Sequence, residues 1–193
     1  MNMKLTLRGI VFSALFAALV VLFGFISIPL GFTPVPITLQ TLAVMLAGGL
    51  LGARYGFFSM ALIVVLTAIG FPLLHGTGGL SVLLGPTGGY VFMWPISALL
   101  IGWLLPRIRI RGVWGYAASF LLLVLFGSLL LYVSGVPWLA YVTGMSLSKA
   151  MVAGCYPYLI GDAIKAAAAT LIIASVRQVF LPERLTGEGI PLE

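Results

Sequence analysis

The chain has 193 residues, of which 62% are hydrophobic and 7% charged, with a formal net charge of +6 and a mean hydropathy of +1.22. Soluble domains carry about 25% charged residues, so this composition excludes a water-solvated surface and reads as a single integral membrane domain. The one cysteine, Cys155, excludes an intrachain disulfide. The basic excess forms no patch interleaved with aromatics of the kind that binds nucleic acid.

In chain order, Lys4 and Arg8 precede a first apolar segment near Gly9–Leu30. A signal core runs to about 7–15 residues, so this longer segment reads as a retained span. The turn signal Thr33-Pro34-Val35-Pro36 follows, then a second span near Ile37–Leu51. About fifteen helical residues cover roughly 22 Å, against a hydrocarbon core of about 30 Å. This span therefore crosses only if the segment before it dips into the membrane. The two prolines each remove a backbone donor, and the freed backbone must be covered by protein or line a wet cavity. A shortened span beside irregular chain is a pointer to a binding site.

Gly52 separates the second span from a third near Tyr55–Leu74. A glycine-rich stretch comes next, with Gly76, Gly78, Gly79, Gly85, Gly88 and Gly89 permitting close approach of backbone. It lacks the Lys that a phosphate-binding G-x-x-x-x-G-K-[ST] loop requires. The glycines therefore read as making room for a ligand or a helix, with Ser81, Thr87 and Tyr90 offering hydroxyls. A fourth span near Gly88–Leu105 ends at Pro106. A fifth near Val113–Val133 is closed by the turn signal Gly135-Val136-Pro137. A sixth near Tyr156–Leu181 leads to a tail at 182–193.

Six spans put Lys4, Arg8, Arg54, Arg107, Arg109, Arg111, Arg177 and Arg184 on one side, leaving Lys149 and His75 on the other. The positive-inside rule makes the first side cytoplasmic, with both termini and the tail there, and turns the loops near 31–36, 75–86 and 135–153 outward. The net charge is thus an orientation signal, with some attraction to anionic membrane lipids.

Asp162 and Lys165 lie three residues apart inside the sixth span. An ionised side chain in hydrocarbon costs about 2.5–3.5 kcal/mol by insertion measurements, so such residues pair, face a cavity or hold a ligand. An i,i+3 pair shares one helix face, and both groups can enter one pocket. The competing reading is an ion pair that only fixes helix packing. In the first span, Ala14 and Ala18 form a small-xxx-small pair that permits close helix contact. No ATPase motif and no Gly-x-Ser-x-Gly motif occurs, which argues against an enzyme.

Three stretches in order carry a resemblance: Pro34-Val35-Pro36-Ile37-Thr38-Leu39-Gln40-Thr41-Leu42, Gly85-Pro86-Thr87-Gly88-Gly89-Tyr90 and Gly161-Asp162-Ala163-Ile164-Lys165. Together they resemble the BioY family, the biotin-specific substrate-binding (S) components of energy-coupling factor (ECF) transporters. The resemblance implies an all-α bundle of six transmembrane helices in a bacterial or archaeal cytoplasmic membrane. It also implies a biotin pocket open to the outside, no cofactor and no metal. Partners would be a transmembrane coupling protein and ATP-binding cassette ATPases, with Ala14 and Ala18 as a candidate docking face. By the same resemblance Asp162 and Lys165 hold the ligand, and Gln40, Thr87, Gly88, Gly89 and Tyr90 form pocket walls. Asp162 can accept ureido N–H bonds, while Lys165 can stabilise Asp162 or reach the carboxylate. Phe32, Tyr90, Trp94, Trp138 and Tyr158 are candidate aromatic walls. The alternatives are an S component for a different vitamin and a carrier that uses Asp162 and Lys165 as an ion or proton relay.

Overall fold

The computed structural model describes residues 5–187, so Lys4 and the end of the expected tail, 188–193, lie outside the described residues. Among these, five helical stretches are long and apolar enough to cross a membrane: Leu7–Phe25, Gln40–Ala68, Gly88–Arg107, Gly112–Thr143 and Leu147–Val179.

Helix α1 (Leu7–Phe25) starts at Thr6, whose hydroxyl accepts from the Gly9 N–H at 3.0 Å. That bond satisfies one of the free donors of the first turn. Ser13, Ala17, Val20 and Gly24 recur along its buried face. Missing side chains at the two ends let neighbours press on the backbone: a Cβ at Gly9 would lie 2.2 Å from the Tyr55 ring, and one at Gly24 2.8 Å from Gln40 Nε2. After Phe25 the chain extends. Strand β1 (Ser27–Ile28) pairs antiparallel with β2 (Ile37–Thr38), a small ribbon that the all-α expectation did not include.

Helix α2 (Gln40–Ala68) is broken at Gly52, whose φ of +79° an L side chain rarely adopts. Eight residues along one straight helix lie about 12 Å apart. Here a Cβ on Gly56 would sit 3.0 Å from Gly48 Cα, so the two arms turn back against each other at Gly52. Helix α3 (Leu80–Leu83) interrupts the glycine-rich stretch. Helix α4 (Gly88–Leu104) packs closely on both arms of α2, with Gly102 lying on the Gly52–Ala53 peptide.

The expected turn at Gly135-Val136-Pro137 is not a turn. Helix α5 (Gly112–Val124) passes through a π-helical segment (Leu125–Leu129) into α6 (Leu130–Thr143), and Pro137 sits within it. Proline is tolerated in membrane helices where packed neighbours take up the freed groups. Gly135 is needed for contact rather than for reversal, because a Cβ there would meet the Tyr90 ring at 2.3 Å. The wide π turn loosens the backbone ladder, and Ser97 Oγ donates to the Phe126 carbonyl at 2.6 Å. Nor is 135–153 a loop: α6 is followed by α7 (Leu147–Gly154). Helix α8 (Leu159–Val179) and α9 (Pro182–Thr186) complete the described chain.

Candidate functional site

Two of the resemblance motifs meet across the bundle. Thr41, in the first turn of α2, faces Asp162 and Lys165 in the first turns of α8. Lys165 Nζ donates to Asp162 Oδ1 at 2.8 Å and to Thr41 Oγ1 at 3.1 Å. The Thr41 hydroxyl lies 3.5 Å from the same carboxylate oxygen. From α6 the Tyr132 hydroxyl donates to Asp162 Oδ2. Asp162 and Lys165 are 5% and 8% exposed, so the pair is withdrawn from solvent with its hydrogen-bonding positions largely filled. A buried charge persists only with such compensation.

This network forms part of the wall of a cavity of about 670 Å³, counted to its open mouth. Tyr90, Trp94, Tyr132 and Tyr158 supply aromatic surface, and Leu74, Val91 and Leu131 add apolar surface. The rings are fixed from behind. Tyr90 donates to the Gly154 carbonyl at 2.8 Å and stands edge-on to Tyr132, with ring centroids 6.3 Å apart. Tyr158 donates to the Val35 carbonyl at 2.5 Å, which ties the double-proline segment to α8. Tethers of this kind spare the phenol hydroxyls an unpaired burial. His75 is at the cavity edge, where desolvation lowers its pKa below the usual 6.5. It therefore brings no cation to the mouth at neutral pH.

Of the residues expected at the site, Gln40, Thr87, Tyr90, Asp162 and Lys165 line the cavity. Gln40 accepts from the Thr38 hydroxyl at 3.2 Å, while its buried Nε2 has no partner among the described residues. Gly88 and Gly89, expected as pocket walls or as room for a ligand or a helix, are not among the residues that line the cavity, and the packing favours room for neighbouring chain. They are glycines because neighbouring chain occupies the space: a Cβ would lie 1.7 Å from the Leu83 carbonyl at Gly88 and 2.4 Å from Trp138 Cβ at Gly89. Trp138 also stands behind the wall, donating to the Gly85 carbonyl at 2.9 Å, and Phe32 is exposed. Lys149 is exposed on α7, outside the cavity. Ala14 and Ala18 are exposed on the outer face of α1.

Thr41 and Tyr132 were missed as site residues. Thr41 carries a usable signal, since its hydroxyl follows Gln40 within the Pro34–Leu42 stretch that resembles the family. Tyr132 lies at the outer end of the expected fifth span, where a tyrosine is indistinguishable from an interfacial anchor.

A family model described as the BioY family matches residues 1–181. The chain is 41% identical over 170 residues to the "Biotin transporter BioY" of Rhizobium etli, covering 86% of this chain and 90% of the relative. It is 34% identical over 173 residues to the protein of the same name from Lactococcus lactis, covering 89% and 91%. A crystal structure described as the S-component for biotin from an ECF-type ABC transporter superposes with a TM-score of 0.84 at 33% identity, over 93% of this chain and 95% of that one. With the family model matched over nearly the whole chain, and with such relatives aligned over most of both lengths, this protein belongs to the BioY family.

Proposed function

We propose that this protein is the biotin-binding subunit of a biotin uptake system in a bacterial or archaeal cytoplasmic membrane, energised by partner ATPases. The observation that carries the reading is the buried Asp162–Lys165 pair facing an aromatic-walled cavity, in a chain whose relatives are named biotin transporters.

The formal charges of Asp162 and Lys165 cancel, so the wall they form suits a neutral, polar group. A ligand carboxylate placed there would bring an uncompensated charge into a desolvated site. The ureido ring is neutral, with two N–H donors and one carbonyl. Asp162 is suited to accept from a ring N–H group, and Lys165, which spends two of its three N–H donors on Asp162 and Thr41, has one left for the carbonyl. The apolar bicycle then lies among Tyr90, Trp94 and Tyr158, and the acid tail points to the mouth. A site built to pair polar groups rejects analogues that leave them unpaired. Desthiobiotin, which keeps the ureido ring, should therefore compete for the site far better than an analogue lacking it. Equal competition by the two would mean that the pocket reads only apolar bulk and tail. The direct test of the function is a biotin titration of the detergent-purified protein, where absence of saturable binding overturns the reading.

Counting the two arms of α2 separately gives six passes in one membrane domain, with both ends of the chain on the arginine-rich, cytoplasmic side and the cavity mouth outside. The S-component description of the structural relative supports a transmembrane coupling protein and ATP-binding cassette ATPases as partners. For docking, the exposed Ala14–Ala18 face of α1 is suited to close helix contact. Ala14→Trp or Ala18→Trp should leave biotin binding intact while reducing copurification of the partners and uptake. Normal uptake in both variants would remove this face from consideration.

A further inference from the structure

We infer that the end of the bundle opposite the biotin cavity carries a binding site for the head group of an anionic phospholipid. A second cavity, about 1440 Å³ including its open mouth, lies where the ends of α4, α5 and α8 meet α9. Arg109, Arg111 and Arg177 line it, against Glu183 as the one acid among the described residues of its wall. Apolar wall comes from Ile108, Ile110 and Leu181, among others. Arginines on apolar wall suit an amphipathic anion better than a free one, because the guanidinium fork matches a phosphate and the wall accepts glycerol and upper acyl carbons. Basic pockets between membrane helices at the cytoplasmic level bind acidic lipid head groups in general.

Arg177 differs from an ordinary interfacial anchor. Arg107 lies over the Trp103 ring at 4.0 Å and does not line the cavity. Arg177 is fixed from within, its Nε donating to the Gly49 carbonyl at 2.8 Å at the foot of the first arm of α2. Its Nη2 is buried without a partner among the described residues. Arg109 and Arg111 are exposed on the connection before α5, free to close over a head group.

The site rests on the membrane reading of the long helices and is independent of what fills the biotin cavity. The test is native mass spectrometry of the full chain, mixed in detergent with equal amounts of phosphatidylglycerol and phosphatidylcholine. The parent chain should retain phosphatidylglycerol in preference by at least about fivefold, the equivalent of one basic residue near an acidic surface. The Arg109→Gln/Arg111→Gln variant should lose that preference while titrating with biotin as before, since both positions are remote from that cavity. Arg177→Lys, which keeps the charge but loses the fork, should lower the preference in part. Millimolar inorganic phosphate should not displace the lipid, and displacement would reassign the site to a free phosphoryl anion. Equal retention of the two lipids by the parent chain, or an unchanged preference in the double variant, overturns the proposal. Such a result leaves the arginines to an acidic segment of a partner protein.

Discussion

Asp162→Asn should lower biotin affinity by at least tenfold, about 1.4 kcal/mol. The change keeps the shape of the side chain and removes the charge that Lys165, Thr41 and Tyr132 all face. The charge-assisted bond to a ureido N–H group becomes a neutral one, which is roughly half as strong. Lys165 is then left buried without its counter-ion, and breaking a buried pair from one side costs about 3–5 kcal/mol. Stability and binding would thus fall together, which a single variant cannot separate. The double variant Asp162→Asn/Lys165→Met removes both charges and should recover much of the thermal stability without recovering affinity. Isothermal titration and thermal unfolding in the same detergent measure the two effects. Unchanged affinity in a folded Asp162→Asn protein would remove Asp162 from the ligand site.

The largest structural effect is expected at Gly102→Val. A Cβ at this position would lie 2.3 Å from Ala53 N and equally close to the Gly52 carbonyl carbon. Both are backbone atoms at the point where the arms of α2 reverse, so no rotamer change relieves the clash. Ordinary overpacking costs about 1–3 kcal/mol. This collision requires α4 to move off α2, and the loss should exceed that range, with little monodisperse protein recovered after extraction. Gly161→Ala is the control. That glycine sits in α8 beside Asp162, yet a Cβ there meets nothing within 4 Å. It should fold normally, and a gain of up to about 1 kcal/mol is expected from restricting the unfolded chain. A well-behaved Gly102→Val protein would mean that the contact between α4 and the Gly52 turn is looser than its geometry states.

These two glycines mark the boundary between what is legible in the chain and what is not. Gly102 and Gly161 look alike in sequence, as single glycines in apolar helices. Only the neighbouring chain distinguishes them, because a missing side chain is informative only when the atoms that fill its place are known. The same holds for Gly88 and Gly89, which read as making room for a ligand or a helix and accommodate Leu83 and Trp138. Gly135-Val136-Pro137 has the residues of a turn, yet packing against Tyr90 carries helix α6 through it. Local propensity was overridden there by tertiary contact, as it often is.

The sequence by itself determined the solvent of the protein, since 7% charged residues cannot solvate a surface. It also determined the breaks at Gly52 and Pro106, and that Asp162 and Lys165 share a face, because the helical repeat alone sets the angle between positions three apart. Tertiary structure decided which other helices meet that face. Thr41 and Tyr132 are 121 and 30 residues from Asp162 along the chain, and their hydroxyls reach it only after α2 and α6 have packed beside α8. In a bundle whose lipid-facing and buried surfaces are equally apolar, hydrophobic periodicity carries no information about which helix face turns inward. That choice rests on close packing between helices, and packing is a property of pairs of segments, not of either one.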